Sequence, residues 1–488
     1  MVYFADFFNV SESEIENYGA FNISLINDLP LFIDPFLIFG NKNPDYQKLH
    51  NDILTYLKFL KGKSDSNMNN LGKLKSWYLF PEIKQNWFGY SILGNAGNGL
   101  GLKFAKTFSS NLNFVFDDLG KEIITQSSHI EKACLFEIGI GRDNISDFTC
   151  NLIKEYLLDY TQTFAKKHIT SSYLKRFKVE KVFFDYDLER WMPKEYYLPA
   201  YADEYVILTP KEILTKDENW INSHDLKGDF TRICNSLPND QLRAEIFNYF
   251  QKQLPKLKDN EKQTSKDLTK ATVETVKKFP IIIQYYIKSK EENKEGAKNI
   301  SQIRVTEVET VFVHNVKSLI TTLSQNTEFY NFTANATYFE AYKRVEYLKK
   351  VIEDNDGYKL FYHDGKPIKR ELDLQIIYRL TWFATPFDVN REPNNGRGPV
   401  DYSISMGAFD KTLVEFKLAS NSKLKKNLQN QVKIYERANS TECSIKAIMY
   451  FDQTELLKVN KIIKELKLEN DRNIILIDAG QKASASNA

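Results

Sequence analysis

The hydrophobic pattern is clearest in residues 336–488. Tyr342, Val345, Leu348 and Ile352 recur at the spacing of one helix face, which predicts a helix from Tyr338 to Glu353, ended by the turn Asp356-Gly357. A second helix is expected from Glu371 to Phe383. The period then changes to two. Val400, Tyr402 and Ile404 alternate with polar positions, as do Val414, Phe416 and Leu418, so Val400–Met406 and Thr412–Leu418 read as two strands of a hairpin turned at Gly407-Ala-Phe-Asp-Lys411. A helix from Leu424 to Ala438, a strand from Ile445 to Phe451, a helix from Glu455 to Leu466 and a strand from Ile474 to Asp478 follow. The order is αα, ββ, α, β, α, β. The small polar residues from Lys482 to Ala488 predict a disordered tail.

Residues 1–237 mix strand-like runs such as Tyr205–Leu208 with helical stretches such as Asp147–Phe164, and read as one mixed α/β domain suited to recognition or sensing. Residues 238–335 are rich in Lys and Glu at helical spacing and read as a charged helical connector. Within it, Lys288–Lys298 is almost wholly polar, which predicts a solvated loop or helix end. The fold class is therefore α/β (α+β), with no internal repeat.

Composition narrows the class without naming a function. Of 488 residues, 42% are hydrophobic and 27% charged, the balance of a globular chain that folds by apolar burial. Sixty-six Lys+Arg against 64 Asp+Glu leave a net charge of +2, so a nucleic-acid surface has to be a local patch. Cys134, Cys150, Cys234 and Cys443 lack zinc-ligand spacing and suggest a reducing, cytoplasmic setting. The apolar run Leu29–Phe39 holds two prolines and is shorter than the ~20 residues a membrane helix needs, so no membrane partner is expected.

The candidate chemistry lies on the hairpin. Glu415 and Lys417 are two apart and share one strand face, while Val414, Phe416 and Leu418 take the other. Asp401, on the polar face of the preceding strand, falls beside Glu415 when the hairpin closes. Carboxylates within apolar strands are costly to desolvate and call for a counter-charge such as Mg²⁺ or Mn²⁺, which binds through one or two carboxylates plus water and phosphate. In the helix after the hairpin, Leu424, Leu428, Gln431 and Tyr435 lie on one face, so Gln431 and Tyr435 point toward the acidic site. Lys423, Lys425, Lys426, Lys433 and Arg437 form a basic cluster suited to phosphate.

Gly398-Pro-Val-Asp401, Glu415-Phe-Lys417 and Gln431-Val-Lys-Ile-Tyr435 together resemble the PD-(D/E)XK nuclease superfamily, and the Gln-x-x-x-Tyr element resembles its RecB-type branch. The resemblance covers residues 336–488. It departs at Val400, which separates Pro399 from Asp401. It implies a restriction-endonuclease-like αβββαβ core, with Asp401 and Glu415 as metal ligands and Lys417 as the catalytic lysine. It further implies that Gln431 and Tyr435 support the site or the DNA strand, and that an acidic residue on the preceding helix completes the ligands, Glu371 first and Asp373 second. The implied activity is Mg²⁺-dependent cleavage of DNA in a bacterial restriction or anti-phage effector, acting as a homodimer or with a partner protein. Cleavage of RNA, or nucleic-acid binding by a degenerate site, are the alternatives. The 27 Tyr and 34 Phe are too many for stacking residues to separate DNA from RNA.

Other motifs carry ordinary readings. The glycine-rich stretch Gly94–Lys103 fits neither the P-loop nor the dinucleotide pattern and reads as a surface turn. In Gly139–Asp147, Asp143 and Asp147 lie four apart at a helix start, and Asp143 or Ser146 is expected to cap that helix, while Asp34-Pro35 is expected to make a turn. His50, His129, His168, His224, His314 and His363 lack paired metal spacing and read as structural or exposed.

Overall fold

The computed structural model describes residues 3–67, 71–89, 100–135, 140–202, 204–216, 218–255, 263–327, 337–380, 382, 385, 387–391, 401–406, 410–429 and 444–482. Most described residues are helical, and one five-stranded mixed sheet lies in the C-terminal region with small sheets elsewhere.

In the N-terminal half, helices α1 (Pro44–Asn67) and α2 (Lys154–His168) pack with a long antiparallel ribbon, β1 (Leu174–Asp185) and β2 (Arg190–Tyr201), bulged between Val179 and Phe183. The ribbon escapes the sequence reading because exposed lysines and Pro193 interrupt its alternation. The single helix expected from Asp147 to Phe164 is two, Arg142–Leu152 and α2, and the Tyr205–Leu208 strand shrinks to Glu204–Tyr205. Asn144, rather than Asp143 or Ser146, caps the first of these helices by accepting from the Gly141 amide at 3.1 Å. Ser146 instead accepts from the Ile33 amide at 3.0 Å. Asp34-Pro35 opens a helix, Pro35–Gly40, with Asp34 as its N-cap.

Asp34 belongs to a buried acidic pair. Its carboxylate accepts from the amides of Phe36 (3.0 Å) and Trp220 (2.8 Å), whereas the fully buried Glu131 carboxyl beside it makes no hydrogen bond that would hold a charge. Burial pushes Asp34 up to about 6, and burial followed by the Asp34 charge pushes Glu131 well above the usual range. Both groups favour the protonated form in the folded state. The stability they contribute is complete below the unfolded carboxyl range and is lost as pH rises through about 6 and beyond, where Asp34 alone accounts for roughly 3 kcal/mol. Glu131→Gln is therefore expected to raise stability at pH 8 by roughly 1–3 kcal/mol and leave it nearly unchanged at pH 4, as measured by urea unfolding at both values.

The connector is helical and forms a spine. Helix α3 (Lys294–Glu309) runs through a π-helical turn at Thr310–His314 into α4 (Asn315–Asn326). The Tyr3 hydroxyl donates to the Phe312 carbonyl at that turn, Lys317 pairs with Asp6 and Glu12, and Asn315 donates to the Leu360 carbonyl. The polar run at 288–298 is helical and partly buried. Glu291 accepts from His129 (2.9 Å) and from the amides of Gln126 and Ser127, and Lys290 pairs with Asp225 and lies over the Trp220 ring. A polar run can be buried when each group finds a partner, and here those partners come from distant sequence. One hydrophobic core consequently runs from Tyr3 to Ala479.

In the C-terminal region, α5 (Thr337–Asp354) and α6 (Glu371–Leu380) precede the sheet. Its strands are β3 (Asp388–Arg391), β4 (Tyr402–Met406), β5 (Asp410–Leu418), β6 (Ser444–Tyr450) and, after helix α7 (Gln453–Glu465), β7 (Ile474–Asp478). The spatial order is β7-β6-β5-β4-β3. The hairpin forms as expected, β4 and β5 being antiparallel with Tyr402 opposite Val414, while β5–β6 and β6–β7 are parallel. Strand β3 was not read from the sequence, since Asp-Val-Asn-Arg offers one apolar residue. Val414, Phe416 and Leu418 face the main core with Val345 and Leu348 of α5. The opposite face packs Ile448 against Leu424, Leu428, Val459 and Ile463. The turn 407–409, residues 430–443 and the tail 483–488 lie outside the described residues, as does most of the glycine-rich stretch.

Candidate active site

The central strand carries the site because its two faces differ. Alternation turns Val414 and Phe416 into the core and leaves Glu415 and Lys417 on the other face, where each is less than 10% exposed. Asp401 precedes the first paired residue of β4, so the register sets it beside Glu415. Its Oδ2 accepts from the Phe416 amide at 2.6 Å and from Lys417 Nζ at 3.3 Å.

Glu371, the first residue of α6, reaches the same place. Its Oε2 is 3.7 Å from Lys417 Nζ, and its Oε1 accepts from Asn421 Nδ2 at 2.6 Å and from the Leu418 amide at 3.4 Å. Asp373 does not reach it. Two residues further along the helix it turns away and pairs with Arg370 at 2.9 Å. Of the two acidic candidates on this helix, the structure brings Glu371 to the site.

The electrostatics follow from burial. Burial raises Asp401 against the opposing pull of Lys417 and the Phe416 amide. Glu415 is pushed up to about 7, first by burial and then by Asp401 and Glu371, against Lys417 and Lys446. For Lys417, burial is the largest single influence and acts downward, but Asp401, Glu415 and Glu371 together raise it, so its ammonium stays charged. Among the described residues the Glu415 carboxylate makes no hydrogen bond or ion pair within 4 Å. A buried carboxylate with no partner among the described residues suits a hard cation.

No group of three His, Cys, Asp or Glu side chains among the described residues stands ready around one metal position. Lys417 lies between Asp401 and Glu371, and Glu371 is already engaged by Asn421 and the Leu418 amide. Asp401 and Glu415, set side by side by the hairpin register, are the two carboxylates that fit a Mg²⁺ or Mn²⁺ ion, a number Mg²⁺ commonly uses with water and phosphate supplying the rest. Lys423 and Lys426 are exposed at the start of the helix after β5, and Lys425 pairs with Glu465 at 2.7 Å. Gln431, Lys433, Tyr435 and Arg437 lie outside the described residues, as do Gly398, Pro399 and Val400.

Comparison with known families gives two matches. Residues 9–222 match a domain of unknown function, DUF8370, and residues 337–453 match a second, DUF8371. No curated protein and no solved structure matches the chain. The second match contains Glu371, Asp401, Glu415, Lys417 and the helix after β5, so the whole candidate site falls within one recurring unit. No helix among the described residues is long and apolar enough to cross a membrane.

The sequence reading passed over Lys446. It is buried on β6, and the parallel register makes it the neighbour of Glu415. Its signal was a lone lysine inside Ser444-Ile-Lys-Ala-Ile-Met-Tyr450, a strand apolar on both faces.

Proposed function

We propose that the C-terminal region is a Mg²⁺-dependent nuclease of restriction-endonuclease-like type that hydrolyses phosphodiester bonds of DNA, and that the N-terminal half recognises a substrate or partner. The observation that carries this is the meeting of Asp401, Glu415, Lys417 and Glu371, from two strands and a helix, at the polar face of one strand, with Lys417 Nζ at 3.3 Å and 3.7 Å from two carboxylates.

Asp401 and Glu415 would hold the ion. Mg²⁺, when bound, supplies charge neutralisation at the phosphate and a more acidic water. The Phe416 amide fixes Asp401 from the backbone, so the carboxylate is aligned before substrate arrives. The charged Lys417 is placed to donate to a phosphate oxygen or to orient the attacking water. Glu371 and Asn421 hold the Lys417 end of the strand in place, and Lys458 of α7 secures the loop behind it by donating to the carbonyls of Ala419 (2.6 Å) and Asn421 (3.0 Å). Lys423 and Lys426 extend a positive edge toward the phosphate backbone. By analogy of architecture alone, we extend this activity to a role in restriction or anti-phage defence.

Plasmid DNA incubated with the full chain is expected to be nicked or linearised with Mg²⁺ and left intact with EDTA. Glu415→Gln should remove cleavage without altering the circular dichroism spectrum. Cleavage that persists in EDTA or in Glu415→Gln would exclude this site, and cleavage of RNA with DNA intact would move the reading to a ribonuclease.

A further inference from the structure

The face that carries Glu415 and Lys417 continues onto β6. The two lysines there flank Glu415 differently. Lys417 stands on the side of Asp401 and Glu371, whereas Lys446 comes from the neighbouring parallel strand, its Cα paired with that of Glu415. Glu415 is 7% exposed and Lys446 7%. Among the described residues, the one ion-pair neighbour of Lys446 is Asp471 at 3.9 Å, the far limit of such a contact, and Asp471 also accepts from the Asn473 amide at 3.0 Å. A buried ammonium held so loosely acts on the next acidic group of that face, Glu415, whose carboxyl it pulls down although the two make no ion pair within 4 Å.

We infer that Lys446 limits the site to a single divalent cation, held between Asp401 and Glu415, by placing its ammonium on the flank of Glu415 where the second ion of a two-metal pair would bind. This rests on the reading of the site as a metal-dependent nuclease centre. Two-metal sites set their ions roughly 3.5–4 Å apart across a shared carboxylate and need further oxygen ligands on the outer side of each. Here the Asp401 flank offers such a ligand. Among the described residues, the β6 flank offers an ammonium with the Asp471 carboxylate held against it, and Glu371 is turned to Lys417 and Asn421. A divalent ion on the β6 flank would meet a positive charge within a poorly screened interior, where repulsion at a few ångströms is large. Lys446 acts through Glu415 and is a positioning residue.

The test is titration of the full chain with Mn²⁺ by calorimetry near neutral pH in low salt. Wild type is expected to bind one Mn²⁺ per chain. Lys446→Met, which removes the ammonium and leaves the Glu415 and Asp471 carboxylates on that flank, should bind two. Lys446→Glu, which turns the flank into a ligand, should bind two. Asp471→Asn, which weakens the ion pair without touching Glu415, should keep one. Lys446→Gln replaces either substitution if that variant fails to fold, and should match Lys446→Met. Two Mn²⁺ per wild-type chain, or one in a folded Lys446→Met or Lys446→Glu, overturns the inference and leaves the nuclease reading standing. Absence of Mn²⁺ binding by wild type, or binding unchanged in Glu415→Gln, overturns both.

Discussion

Lys417→Ala is expected to lower Mg²⁺-dependent cleavage by roughly 10²–10³-fold, the usual loss when one aligned donor to a reacting phosphate or oxyanion is removed. Substrate binding should change little, because Lys423 and Lys426 remain to meet the backbone. The loss should therefore appear in kcat rather than in KM. A second effect accompanies it. Without the ammonium, Asp401 and Glu371 lose a shared counter-charge at 3.3 and 3.7 Å, and the metal-free variant should be roughly 1–3 kcal/mol less stable near neutral pH. Mg²⁺ should restore part of that stability even though it restores no activity. Lys417→Arg keeps the charge but not its compact shape, and should recover stability more fully than cleavage. Single-turnover assays and urea unfolding, each with and without Mg²⁺, separate the two effects.

Glu340→Ala should unfold the C-terminal region more readily than any change at the protein surface. Glu340 and Arg344 form an ion pair one turn apart on α5, both almost fully buried, and the Arg344 guanidinium lies 4.2 Å over the Trp382 ring. Removing either partner leaves the other charge in the interior, at an expected cost of roughly 3–5 kcal/mol. Replacing both with apolar residues of similar volume, as in Glu340→Leu with Arg344→Met, should return most of that loss. Chemical denaturation of wild type, Glu340→Leu, Arg344→Met and the double variant measures the coupling directly. Activity should follow the folded fraction, since α5 and α6 together back the sheet and Glu371 opens α6.

The part of the site that alternates was legible from residues alone. Val414-Glu-Phe-Lys-Leu418 places its charges on one face whatever the surrounding fold, and the hairpin turn then sets Asp401 beside Glu415. Glu371 and Asp373 were not separable in this way, because both sit in the first turn of one helix and only the approach of α6 to the end of β5 decides between them. Lys446 was hidden because the register of a parallel pair depends on a long crossover rather than on a short turn. The same holds for Glu291, whose polar neighbourhood reads as solvated until His129 and the amides of Gln126 and Ser127 arrive from more than 160 residues away. Local patterns disclose faces, and long-range partners disclose which polar residues are buried.

The spine formed by α3, the π turn and α4 has a consequence for inheritance. Residue 3 is tied to its middle and residue 360 to the start of its last segment, with apolar packing unbroken on both sides. A chain stitched in this way has no seam. Separating its two recurring domains at residue 336 would strip an interior surface from each, so exchange of one half between relatives would tend to carry the other half with it. The N-terminal and C-terminal halves are then free to diverge only as a matched pair, each acting as the scaffold on which variation in the other is tolerated.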